Sequence, residues 1–535
     1  MADEQMVFAR KASGLVRGLS MWDAFLVGFL DQGLLPSMVV ICSLGVGVYT
    51  GGNIIIAVLL STLFCAIGFP IVWGVLGGSM PRSGGEYIYN SRIIHPIIGI
   101  AESFGNAWIW VMWIYVLAPW VADPGLAMVA QFTGWQGLAD FTTNTWGIFV
   151  VATIANLVSF VLVAFGLKIF ARAQRVVMAV GISGTIVLCV VLSLYGKQDF
   201  VHQWNELAAQ YDSLDYNAFL AGVEKLNGES MPTTWNWFDS LGVMVASSWA
   251  FAYAYCVCFI AGEVKRPDKT IMLANLWAVL VPGVFCLWMA IGLYHAVDFN
   301  FLSAAFWYDN SGETLEGYNL PFSTNVIDLV YILHPSGVLG FLYGIAYIAF
   351  GLWWVALGYL AAPRIMFAWG MDRMGPKWFT DVNPRFASPL KNNVTVLVLG
   401  EILIAVYVFW TNSPIQGLAI TGLEVVTVFG VTAIAALIFP YRKKVRGIWD
   451  SSPYRNWKIL GMPVVTLGAA VDLVYLGILF TFFFLMPDLR SLQIGAILFY
   501  AGVWTAGVIW YFVWKHRNET AGLDISLTYG ELPPE

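Results

Sequence analysis

The chain has 535 residues, 59% of them hydrophobic and 11% charged, with a formal net charge of −6. Soluble domains run at about 45–50% apolar and about 25% charged residues. The composition therefore excludes a soluble globular protein and points to an all-α polytopic membrane protein.

The N-terminal segment, MADEQMVFARKASGLVRG, is polar and charged and has no apolar core before a small-residue cleavage site. The first apolar stretch is then the targeting signal. That stretch, Trp22 to Ile41, reads WDAFLVGFLDQGLLPSMVVI and is long enough to cross a bilayer. Asp31, Gln32 and Gly33 sit at its middle, and Pro36 follows. A carboxylate at that depth costs about 2.5–3.5 kcal/mol on insertion scales. Gly28, Gly33 and Pro36 each weaken a helix. A broken membrane helix is expected, with the break as the functional centre.

Twelve spans follow from a requirement of about 20 apolar residues each. They fall at 22–43, 53–79, 95–130, 146–166, 172–195, 239–261, 270–296, 337–370, 394–411, 417–439, 461–486 and 492–514. Pro119 and Pro124 are expected to kink the third. With the N-terminus inside, all of the 27 Lys and Arg except Lys197, Lys225 and Arg490 face inward. That skew supports twelve spans with both termini cytoplasmic, and a multi-pass protein of the plasma membrane is expected. Two longer outside loops, 196–237 and 298–336, read as solvated covers, with a short helix at Asn325 to Leu333. The tail from Asn518 onward reads as loose.

The six cysteines lie in or beside apolar spans and read as packing residues. No HExxH and no GxxxxGK[ST] occurs, so no metal, no cofactor and no ATP use are expected. No His/Glu, Ser/Lys or paired-Asp arrangement argues for an intramembrane enzyme, and no nucleic-acid partner is expected.

Three polar segments interrupt the hydropathy pattern. Met80-Pro81-Arg82-Ser83-Gly84-Gly85-Glu86-Tyr87 lies between spans two and three. Ala261-Gly262-Glu263-Val264-Lys265-Arg266-Pro267 follows span six. Ala362-Pro363-Arg364 opens a run after span eight that continues through Asp372-Arg373-Met374-Gly375-Pro376-Lys377-Trp378-Phe379 to Asn383-Pro384 and Ser388-Pro389. Taken alone, these are helix caps and salt bridges at the inner face. In this order, they resemble the amino acid–polyamine–organocation transporters, over roughly residues 15 to 440.

The resemblance implies a five-plus-five inverted repeat with two extra C-terminal helices, in which spans one and six unwind at mid-membrane. The segments would be 1–21, a cytoplasmic start; 22–195, the first repeat; 196–238, an extracellular loop; 239–440, the second repeat; 441–514, the last two spans; and 515–535, a cytoplasmic tail. The substrate would sit at Leu30, Asp31, Gln32 and Gly33 of span one and at Phe251, Ala252, Tyr253, Ala254 and Tyr255 of span six, with Trp249 or Phe251 as gate. Freed backbone groups at the two breaks would bind a polar ligand.

Departures from the family pattern are equally informative. Span one has Leu30-Asp31-Gln32-Gly33 where relatives have small residues. The lysine that some proton-coupled relatives place in span five is absent near Gly181. Gly351 to Tyr359 of span eight has no Ser or Thr for sodium. Asp31 could carry a coupling proton, pair with a substrate amine or cation, or be pinned structurally by the freed backbone. Asp123 is the expected second polar group, while Glu102, Glu401, Glu424 and Asp472 are weaker candidates. For Glu401 and Asp472 interhelical pairing or an oligomer contact is expected. The implied function is secondary transport of amino acids or related amines, by symport or antiport. Its partners are a small-molecule substrate, H+ or Na+, and the lipid bilayer. A carrier of polyamines, nucleobases or another small organic cation is the alternative, as is a non-transporting substrate sensor.

Overall fold

The computed structural model describes residues 14–411, 427–485 and 494–533. Within them, eleven helices are long and apolar enough to cross a membrane. The expected tenth span lies partly outside the described residues, Glu424 included, as does Arg490. Its described part is the apolar helix Thr427–Tyr441. The protein is an all-α polytopic membrane protein; its strands are one short hairpin, Lys458–Ile459 with Met462–Pro463, among the described residues.

Span one (Met21–Val46) and span six (Trp237–Ile260) are the most deeply buried of the set. Span one packs on span seven (Pro267–Ala296), and span six packs on span two (Ile54–Ser79). Span four (Thr145–Ala164) packs on span eight (Gly337–Met371), and span nine (Leu390–Trp410) packs on span three (Pro96–Thr133). Exchanging each span of the first five with its counterpart five places later maps these pairs onto one another. Five is odd, so the two halves run in opposite senses through the membrane. This is the pattern of an inverted repeat.

Span three is kinked where expected. Its α-helix ends at Trp120, directly after Pro119, and a wider turn follows over Val121–Leu126, with Asp123 extended at φ −130° and ψ 116°. Span eight continues through Pro363. Glu401 in span nine accepts from Thr153 (2.6 Å) and Asn156 (3.0 Å) of span four, a tie between helices. Asp472 of span eleven (Val464–Phe483) is fully buried against Gly68 of span two, with neither carboxylate oxygen hydrogen-bonded among the described residues.

The end of the bundle rich in Lys and Arg is sealed by buried ion pairs that join the three polar segments. Arg364 grips Glu263 with two hydrogen bonds, 2.5 and 3.0 Å. Arg92 pairs with Asp372 at 2.7–2.8 Å, and Tyr87 also donates to Asp372. All four charged side chains are nearly or fully buried. Leu19 pairs backbone to backbone with Glu263 and Lys265, which ties the start of span one to the end of span six.

The tail is docked, contrary to its polar composition. Tyr529 is 3% exposed, lies over the Arg92 guanidinium at 5.3 Å and meets the Tyr87 hydroxyl at 3.3 Å. Arg82 donates to the Pro533 carbonyl. The two longer loops are also more ordered than expected of solvated covers. They form helices Lys197–Gln210, Tyr216–Asn227, Phe299–Ser311 and Val326–Leu333. The last carries the expected cap, with Asn325 accepting from the Ile327 and Asp328 amides.

At this second end Ser43 of span one donates to Asp309 at 2.5 Å. Asp328, fully buried nearby, accepts from Asn325 at 2.8 Å and from Ser323. Burial pushes Asp328 up from 3.8 to about 7, Asp309 adding to the rise, and burial likewise raises Asp309.

Two outcomes follow from these ends. Removing one partner of a buried pair strands the other charge, so Glu263→Gln or Arg364→Ala should cost about 3–5 kcal/mol. Denaturant unfolding in detergent measures it, and a loss below about 1 kcal/mol, the range of an exposed pair, would contradict the burial argument. Asp328 holds its proton to about pH 7 when folded and releases it near 3.8 when unfolded. Between those values the folded state binds more protons, so stability falls as pH rises through that window. Thermal midpoints should drop from about pH 5 to 7, and Asp328→Asn should flatten the slope.

Candidate functional site

Span one begins as a capped helix, with Ser20 accepting from the Asp23 amide and Asp23 returning the contact. The helix stops at Asp31, and Gly33 takes a left-handed conformation at φ +47°. A second helix starts at Leu34. A left-handed residue suits glycine, and here any Cβ would also meet the Trp354 indole of span eight. Gly28 serves a different need. A Cβ there would come within 2.8 Å of Ala278 in span seven and 3.1 Å of the Ala254 carbonyl, so the glycine lets three backbones approach.

A break inside a membrane must satisfy its own carbonyls. Gly28 O accepts from the Gln32 side chain at 3.0 Å, and Phe29 O and Leu30 O from the Gln32 and Gly33 amides at 3.1 and 3.2 Å. Asp31 O accepts from Trp354 Nε1 at 2.5 Å, and Gln32 O from Ser37 Oγ at 2.5 Å. Gly33 O accepts from the Ser37 amide at 2.9 Å. These carbonyls are thus engaged by the protein, where the family resemblance implied that they wait for a ligand.

Span six changes character opposite this break. Its α-helix ends at Ala252, and Tyr253–Ile260 is wound as a tighter 3₁₀ helix. The Cys256 thiol lies beside the Asp31 carboxylate and also contacts Val27 O at 3.9 Å.

Between the two breaks lies a cavity of about 40 Å³, room for a few water molecules. Its aromatic wall is Trp110, Trp113 and Trp120 of span three, Trp249 and Tyr253 of span six, and Trp354 of span eight. Val40 and Leu117 complete the apolar lining, and Asp31 and Ser37 are its polar members. The rings meet edge to face: Trp113 against Trp249 (6.2 Å) and Tyr253 (5.7 Å), and Trp110 against Tyr253 (5.7 Å). Trp113 donates to the Tyr253 hydroxyl at 3.2 Å. Three buried polar atoms on lining residues have no hydrogen-bond partner among the described residues: Asp31 Oδ2, Trp110 Nε1 and Trp249 Nε1.

Of the residues singled out in the sequence, Asp31, Trp249 and Tyr253 meet here. Leu30, Gln32 and Gly33 build the break behind the wall. Phe251, Ala252 and Ala254 are fully buried in helix packing and do not line the cavity. Tyr255 points to another network. It packs on Trp73 at 4.4 Å and bonds Asn106 at 3.4 Å, and Asn106 donates to Glu86 at 2.7 Å. Burial pushes Glu86, outside the spans, up to about 8. Asp123 is exposed at the kink of span three and is not a lining residue. Gly181, the position of the missing lysine, packs on Phe350.

The span-three residues were missed, although Trp110, Trp113, Leu117 and Trp120 follow one another at helical spacing on one face. Trp354 could not be told from its neighbour Trp353, which is fully buried against Phe170.

A model of the amino acid permease family matches residues 19–508. The chain belongs to that family. Both broken spans and the three polar segments lie within the match. A comparison with curated proteins finds no match. As an amino acid permease, the protein is a multi-pass membrane transporter for amino acid-type substrates.

Gly33→Ala is expected to cost about 1–3 kcal/mol, from the left-handed backbone alone, and to displace Trp354 as well. Thermal unfolding together with tryptophan fluorescence checks this. An unchanged midpoint and spectrum would mean that the break has another conformation.

Proposed function

We propose that this permease is a secondary transporter working by alternating access, with the aromatic cavity between the two breaks as its substrate site. The observation that carries the reading is Asp31. One carboxylate, with an oxygen unpartnered among the described residues, belongs to the lining of an apolar chamber at the junction of both broken spans. Such a group in a membrane is costly unless it binds something. In this reading residues 22–195 and 239–440 are the two halves that rock against each other. The Lys- and Arg-rich end faces the cytoplasm, as the distribution of basic residues favours. The buried ion pairs there and the Ser43–Asp309 tie at the other end are the contacts that would alternate.

Asp31 is the coupling group in this mechanism. It takes a proton or a substrate cation on one side and gives it up on the other. Span eight presents Trp354 rather than a hydroxyl at the break, which favours H+ over Na+ as the coupling ion.

Uptake into proteoliposomes tests this directly. A panel of amino acids and amines is offered under imposed pH or sodium gradients. Saturable uptake of at least one compound is expected, and uptake of none would overturn the reading. Asp31→Asn should abolish uptake driven by a pH gradient while leaving exchange. Gradient-driven uptake that survives unchanged in this variant would remove Asp31 from coupling.

A further inference from the structure

We infer that the cavity reads its substrate through a positively charged nitrogen held by aromatic faces and Asp31, and that it accepts this nitrogen fully N-methylated. The inference rests on the aromatic cavity being the substrate site, and adds which part of the substrate is recognised and how.

The first observation is what the break does not offer. A primary ammonium has three N–H donors and needs acceptors for them. The carbonyls from Gly28 to Gly33 would be the natural supply, but each already accepts a hydrogen bond from the protein. The Ser37 hydroxyl gives its proton to the Gln32 carbonyl, which fixes its direction and leaves its oxygen able to accept one N–H. Asp31, whose Oδ2 has no partner among the described residues, and the Ser37 and Tyr253 hydroxyls are the side-chain acceptors that the lining residues add, and Tyr253 already accepts from Trp113.

The second observation is what the wall does offer. Five indoles and a phenol surround the space, and no Lys, Arg or His is among the lining residues. Aromatic faces attract cations through the ring quadrupole, tryptophan most of all, and desolvation strengthens the attraction to about tenfold in affinity or more. A methylated ammonium suits this wall better than a primary one. It spreads its charge over methyl groups, needs fewer acceptors or none, and carries less hydration into a dry site. Asp31 neutralises the charge without having to meet a directed N–H.

The third observation concerns the rest of the ligand. Trp110 Nε1 and Trp249 Nε1 are buried donors without a partner among the described residues. They can meet an acceptor on the same molecule. Both are neutral, so a carboxylate on the substrate is accepted without being demanded.

The test is a methylation series on the purified full-length protein. Glycine, its mono-, di- and trimethylated forms, and tetramethylammonium are titrated by calorimetry or tryptophan fluorescence. The same compounds are followed in proteoliposome uptake. Affinity should rise along the series, by about tenfold or more from glycine to the trimethylated form, and tetramethylammonium should compete with it. Trp249→Phe should keep most of the affinity and Trp249→Leu should lose it. Asp31→Asn should weaken tetramethylammonium more than the zwitterions.

If N-methylation weakens binding while unmethylated amino acids are still transported, the inference fails and the transporter reading stands. Binding that follows the series with no uptake of any member supports the aromatic recognition and counts against transport. Binding of no compound overturns the inference.

Discussion

Hydrocarbon provides no hydrogen bonds, so a helix that breaks inside a membrane must close its own account of carbonyls. Much of this protein's interior is arranged around that demand at Asp31–Gly33. Gln32 turns its side chain back to Gly28, Ser37 reaches up to Gln32, and span eight sends an indole across to Asp31. That last contact fixes more than one bond. It places Trp354 against Gly33, which makes glycine obligatory there, and turns span eight into a wall of the cavity. What remains open at the site belongs to side chains.

The Lys- and Arg-rich end obeys the opposite logic. There, charge is buried on purpose and in pairs. Glu263–Arg364 joins the segment after span six to the end of span eight, and Arg92–Asp372 joins the segment after span two to the same region. Such pairs contribute little net stability against a well-packed apolar alternative, but they fail sharply when one member leaves. They therefore specify one arrangement of spans two, six and eight rather than merely strengthening it. The Tyr255–Asn106–Glu86 chain runs from the tightly wound part of span six to the residue next to Tyr87, which itself donates to Asp372.

How far the sequence reveals this depends on the kind of contact. The break was legible because Asp31, Gly33 and Pro36 violate a hydrophobic run, and a violation in a membrane needs a reason. The order of spans was legible from apolar length and from the skew of Lys and Arg. The cavity was only half legible. Asp31, Trp249 and Tyr253 sit on the two elements expected to unwind, but the face that Tyr255 presents depends on the 3₁₀ winding after Ala252, which composition does not specify. Trp353 and Trp354 are adjacent and chemically identical, and only packing says that one meets Phe170 and the other the break. The tail misled for a similar reason. A polar, proline-ended segment reads as solvated, and nothing local signals that Tyr529 has Arg92 waiting for it.

That docking of Tyr529 also bears on how the molecule is made. Chains emerge from the ribosome N-terminus first, and Tyr529 follows the last helix described above, Ile494–Thr520. Arg92 and Asp372 are synthesised earlier, with spans three to eight between them. Their aromatic cover can arrive only once helix Ile494–Thr520 has been translated, so this layer of the end closes after the spans it covers have been made.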